Sequence, residues 1–203
     1  MNYDHFRHYA RAWILHFFGR EEKAFNEYAA AYRLQPDNVQ AARNLAFIAA
    51  RRKQYGVADK WFVEALRLAP GDAGMHFNHG YVLEQDGRAR EAIAAFAEAV
   101  RLNPSFDLAW FGLGMAQARL GEHAEAAAAF AKAAELQPMN GEAFYQWAMA
   151  CHHAHQPERV AEIAKRLAGF EPKRALKLIK DAERPDLKHL VPEEVRRFFE
   201  GSR

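Results

Sequence analysis

Five of the eight prolines in this chain stand on one grid: Pro36, Pro70, Pro104, Pro138 and Pro172 follow one another at intervals of 34 residues. Proline is excluded from helix interiors and pushes the residue before it out of the helical region, so a proline at a fixed interval stops a helix at a fixed interval. A recurrence of this length marks one supersecondary unit copied in tandem. Such a unit cannot bury its apolar side alone, and its neighbours must stack on it. Composition says what the unit is made of. Alanine, the best helix former, accounts for 41 of the 203 residues, which points to an all-α chain.

Other positions keep the phase of the prolines. Eight residues before each stand Tyr28, Phe62, Phe96, Phe130 and Ala164; five before, Ala31, Ala65, Ala99, Ala133 and Leu167; twelve before, Ala24, Ala58, Ala92, Ala126 and Val160. Twenty-four before stand Ala12, Ala46, Gly80, Gly114 and Ala148. Small residues in one phase mark where two helix backbones approach, and aromatics in another fill the space beside them. The pattern resembles the tetratricopeptide repeat, a 34-residue helix-turn-helix unit, over about 5–172. The fourth repeat matches best, through Trp110, Leu113, Gly114, Gly121, Ala126, Phe130, Ala133 and Pro138. The first and fifth match least, as befits end repeats. The resemblance implies a right-handed α-α superhelix of antiparallel helix pairs whose first (A) helices line the concave side. The expected organisation is 1–172 as five repeats (about 5–38, 39–72, 73–106, 107–140 and 141–174) and 173–203 as a C-terminal cap.

Local chemistry refines the elements. Asp37, Asp72, Ser105 and Asn140 are candidate N-caps after the proline turns, and Gly19, Gly87 and Gly121 candidate left-handed helix ends. Lys53 and His155 hold that place in repeats two and five, with Gly56 an alternative in repeat two. The predicted helices span 5–18, 21–34, 38–51, 55–68, 73–86, 89–102, 107–120, 123–136, 141–154 and 157–169. After Pro172, Ala175, Leu176, Ile179 and Ala182 form the apolar face of a capping helix that Pro185 is expected to end. A short final helix should start near Pro192, with Val195, Phe198 and Phe199 on one side.

Two positions four residues apart on each A helix share one face. They hold Tyr9, Arg43, Phe77, Phe111 and Tyr145, then Trp13, Phe47, Tyr81, Met115 and Met149. Beside them lie Asn44, Asn78, Arg51, Arg119, Gln85, His152 and His153. Aromatics and methionine supply large, adaptable contact area, so this stripe is the candidate groove for an apolar peptide or helix of a partner protein. The alternative is that these rings pack only against neighbouring helices. On the groove reading, removing Phe77 and Phe111 together should abolish capture and leave stability nearly intact. Family members that grip acidic chaperone C-termini use lysines, asparagines and an arginine in set places. Here Asn44 fits one of them, but Tyr9, Trp13, Gly74 and Asn78 do not carry the rest. By resemblance, short proteins of this kind serve as adaptors, assembly factors or chaperones in bacteria, and the alanine richness suits a GC-rich bacterial source.

Other function classes lack support. Lys+Arg 28 against Asp+Glu 26 leaves +2, no footprint for nucleic acid. No apolar run reaches the ~20 residues of a membrane span. The segment from Ala12 to Phe18 is interrupted by His16 and is not followed by a small-residue cleavage site, so a cytoplasmic location is expected. Cys151, the single cysteine, fits a buried small hydrophobe. No phosphate loop, dinucleotide fingerprint or hydrolase motif is present, and no cofactor is expected. The pairs His5/His8, His76/His79 and His152/His155 have no evident third ligand, and His8, His76 and His79 occupy core phases, so packed rings rather than metal ligands are expected. Two further readings stay open: self-assembly through the terminal helix docking in another copy's groove, and a groove-sited metal enzyme using His16 and His152.

Overall fold

A computed structural model describes residues 3–200, and of 198–200 the backbone only, so the side chains of Phe198 and Phe199 lie outside the described residues. The described chain is helical, with antiparallel helix pairs in repeat order and no strand. Two compact units, 1–103 and 104–203, divide it.

The first unit holds α1 (Tyr3–Phe17), α2 (Glu21–Leu34), α3 (Val39–Arg51), α4 (Tyr55–Leu68), α5 (Ala73–Gln85) and α6 (Ala89–Leu102). The second holds α7 (Asp107–Arg119), α8 (His123–Leu136), α9 (Gly141–His153), α10 (Pro157–Phe170) and α11 (Pro172–Asp181). A 3-10 turn (Pro185–Leu190) and α12 (Glu193–Glu200) follow. The ten repeat helices start and stop within two residues of the predicted positions.

The turn inside each pair is the same object five times. Gly19, Gly87 and Gly121 have φ of 70°, 82° and 79°, and Lys53 and His155 adopt φ of 57° and 56° in their places. At each, the following N–H reaches back to the helix; that of Arg88, for example, donates to the Leu83 carbonyl at 2.9 Å, which closes a Schellman cap. Lys53 itself takes the left-handed conformation, so Gly56 has no capping role and lies inside α4. Entry into the A helices differs from expectation at two places. Asn38, not Asp37, caps α3 by accepting from the Ala41 N–H at 2.9 Å, and the cap position of α7 falls on Phe106, one residue past Ser105. Asp72 and Asn140 cap α5 and α9 as expected.

The repeat phases are the core. Tyr28, Phe62, Phe96 and Phe130 are 2% exposed or less, and the alanines five and twelve residues before each proline are buried with them. A Cβ at Gly80 would stand 2.9 Å from the Phe96 ring, and one at Gly114 2.8 Å from that of Phe130. Glycine is required there because the next helix lays an aromatic face on the backbone. In the second unit one continuous core runs from α8 to the 3-10 turn, through Phe130, Phe144, Cys151, Leu167, Leu178 and Val191.

The C-terminal cap departs from the expected outline. Pro172 opens α11 one residue after α10 ends. The helix stops at Asp181, with Glu183 left-handed (φ 53°), and Pro185 begins the 3-10 turn rather than ending the helix. Its buried residues are Ala175, Leu178 and Ile179, with Ala182 buried just past its end; Leu176 is only partly buried, because it lines the open hollow beside the helix. Val195 of α12 packs at the edge of the same core.

Candidate functional site

None of the ten stripe residues is buried, yet most are anchored at their inner edge. In the first unit Tyr9 meets Tyr28 edge-on at 5.4 Å and takes a hydrogen bond from the Asn44 amide at 3.4 Å. Burial, then the nearby Tyr9, pushes the Tyr28 phenol up to about 12. Phe47 stands edge-on to Phe62 at 5.6 Å, with the Arg43 guanidinium 5.4 Å from its ring centre, and Phe77 tilts onto Phe96 at 5.8 Å. Arg43 also lies 3.5 Å from the Asp72 carboxylate. Trp13 and Tyr81 are more than half exposed. In the second unit Phe111 meets Phe130 edge-on at 5.3 Å, and Met115, Tyr145 and Met149 flank the core. The sequence could not reveal that stripe and core are stacked layers of the same rings. Phe77→Ala with Phe111→Ala would therefore also remove ring contacts with the core, and near-neutral stability is not expected of it.

The structure gathers part of the predicted set into one hollow of about 550 Å³ in the first unit. Phe47, Tyr81 and Asn78 line it, with Arg51 and Lys53 at one side and His16, Ala50, Tyr55 and Val82 completing the wall. Arg51 is held by Glu21 at 2.8 Å, and the Asn78 amide donates to the Gly74 carbonyl at 2.7 Å. An apolar floor with cations beside it suits an aromatic or aliphatic side chain followed by a carboxylate. Ala50 and Arg51 were legible as the i+3 and i+4 neighbours of Phe47 on its helix face. Tyr55 was not, because it enters from α4, outside the A helices.

In the second unit Tyr145 is partly covered by the cap. Its hydroxyl donates to Asp181 at 2.7 Å and Lys177 sits 4.7 Å from its ring centre; burial, then that hydrogen bond, pushes its phenol up to about 12. His152 meets His153 edge-on at 5.2 Å, and His153 lies tilted against His123 at 4.9 Å. Burial and the neighbouring imidazoles hold the His153 pKa below its ordinary value. Arg119 is exposed. A larger open hollow of about 1160 Å³ lies along α11, walled by Lys173, Lys177, Lys180, Lys188 and by Glu171–Arg174–Glu142 ion pairs. It holds none of the stripe residues; Leu176, Ile179 and Pro185 give it an apolar floor beneath the charged side chains.

His8, His76 and His79, the histidines in core phases, each hold a polar partner. His76 donates through Nε2 to the Pro70 carbonyl at 2.9 Å, as Trp110 Nε1 does to Pro104 at 2.9 Å one repeat on. His8 binds Glu27 at 2.6 Å and His79 binds Asp59 at 2.7 Å. Burial opposes the Asp59 charge, but hydrogen bonds from Arg88 and His79 outweigh it and hold its carboxyl below the usual range. Among the described residues no group of three or more His, Cys, Asp or Glu side chains is placed to hold a metal ion. Cys151 is buried, which raises its thiol pKa. No helix among the described residues is long and apolar enough to cross a membrane.

Helix pairs of this length and phase define a class, and residues 77–140 match the family model of the tetratricopeptide repeat. Over these residues the chain carries the tetratricopeptide repeat, and helix pairs of the same length recur on both sides of them. Its fold is shared with YrrB, described as a TPR protein with an unusual peptide-binding site, at 24% identity over 85% of this chain and 90% of that one (TM-score 0.75). MamA is similar at 19% identity over 92% and 97% (TM-score 0.76). PilW, a type IV pilus biogenesis factor, is similar at 20% over 100% and 94% (TM-score 0.66). No curated protein matches the chain significantly in sequence.

Proposed function

We propose that this chain is a non-catalytic interaction scaffold that takes a peptide or helix of a partner protein on its A-helix face, in an assembly or chaperone-like role. A bacterial, cytoplasmic setting belongs to the same reading. The observation that carries it is the hollow of Phe47, Asn78, Tyr81 and Arg51, open in the first unit and lined by side chains that stacking leaves half-exposed. The repeat fold supports it, since its members work by binding. So does YrrB, a fold neighbour described as having a peptide-binding site. The favoured ligand places an aromatic or aliphatic side chain in the hollow and an acidic group near Arg51 and Lys53.

Tyr81 is the residue to test, because at 51% exposure it supports little of the core. Peptides selected from a random display library on the wild-type chain, measured by fluorescence polarisation, should favour an apolar residue next to an acid. Tyr81→Ala should weaken them about tenfold, a loss of about 1.4 kcal/mol, with the melting temperature nearly unchanged. Equal binding by the variant would remove the hollow as the site.

A further inference from the structure

The first helix carries apolar side chains that its fold does not use. Tyr3, Phe6, Trp13, Phe17 and, just past the helix end, Phe18 are 60–75% exposed, and Ile14 is 49% exposed. With Ala10, the helical ones fall within an arc of about 100°, opposite the buried Ala12. One repeat on, the places of Tyr3, Phe6, Phe17 and Phe18 are held by Asp37, Gln40, Arg51 and Arg52, all exposed. Stacking therefore asks for no aromatic at any of the four. An exposed cluster of aromatic side chains of this size marks an interaction surface.

We propose that α1 is the interface of a two-fold dimer, its outer face covered by α1 of a second copy running antiparallel. The face is self-complementary about Ala10. Pairing each residue with its mirror position sets Tyr3 against Phe17, Phe6 against Ile14, and Ala10 against itself, where the small side chain lets two backbones approach. Arg7, just outside the arc, is paired with Asp4 of its own helix at 3.3 Å, and the register brings no two arginines together. Four rings of roughly 200 Å² each, open to this extent, and Ile14 offer about 600 Å² per copy, the lower end of what a stable interface buries on each side. A lipid surface would accept any apolar face; only a second copy makes use of the symmetry. The contact is separate from the A-helix hollow, whose one α1 residue, His16, lies outside this arc.

Multi-angle light scattering of the full chain in the micromolar range should give twice the 23.2 kDa chain mass. Phe6→Glu with Phe17→Glu should give the monomer mass with an unchanged circular-dichroism melt, since both side chains are exposed. Ala10→Cys should form an intermolecular disulfide on oxidation, because only the residue on the two-fold axis meets itself within ~6–7 Å between Cα atoms. A monomeric wild type, a dimer that survives the double substitution, or a dimer that Ala10→Cys does not cross-link would overturn the proposal. So would a monomer that co-floats with phosphatidylserine vesicles, which would assign the face to lipid.

Discussion

At the scale of single residues, identity is set by distance to the next helix. Gly114 sits where other repeats carry Gly or Ala, and the Phe130 ring lies so close that a methyl group would stand 2.8 Å from it. Gly114→Ala sets two effects against each other: about 1 kcal/mol gained in helix propensity, and about 1–3 kcal/mol lost by overpacking against a ring with no room to retreat. Overpacking wins, so thermal or urea denaturation should show net destabilisation. The contrast with Ala12, Ala46 and Ala148 at the same phase shows how little the repeat pattern says about sub-ångström clearance. Small was legible in the sequence; why glycine was not.

Among elements, the recurring turn is the most constrained piece. His155 adopts φ of 56° where three sister repeats use glycine, a conformation that costs a residue with a Cβ about 1 kcal/mol. His155→Gly should therefore raise the melting temperature by a few degrees, measured by calorimetry; a fall would mean that the imidazole makes a stabilising contact outweighing the strain. The five turns were readable from the phase of Gly19, Gly87 and Gly121, which carried Lys53 and His155 with them. The cap at Asn38 was missed because Asp37 and Asn38 are adjacent and both can cap, and only the entry angle of the chain chooses between them. The outline of α11 was missed for a related reason. Pro172 keeps the grid, but there the chain turns straight into a helix at the first-turn position proline tolerates.

At the scale of the whole molecule, the two compact units differ in how their cores are built. The second has one unbroken core in which α11 lays Leu178 and Ile179 on α9 and α10, while Glu171 folds over Gly141, where any Cβ would collide with its carboxylate. Residues 104–203 alone should therefore give a helical spectrum and a cooperative melt. Residues 104–171, without the cap, should lose that cooperativity, as a repeat stack with an open apolar end does. Equal melts for the two fragments would show that α11 is an ornament rather than the closing layer.

The sequence by itself determined the class of element, the period, the turn positions and the core phases, because each rests on local rules: helix propensity, proline and glycine geometry, and side-chain spacing along one helix. Tertiary structure decided which stripe residues meet in one hollow, which rings serve core and surface together, and that α1 leaves aromatics uncovered. Those depend on where a second helix lies, and no spacing along a single helix encodes the distance to its neighbour.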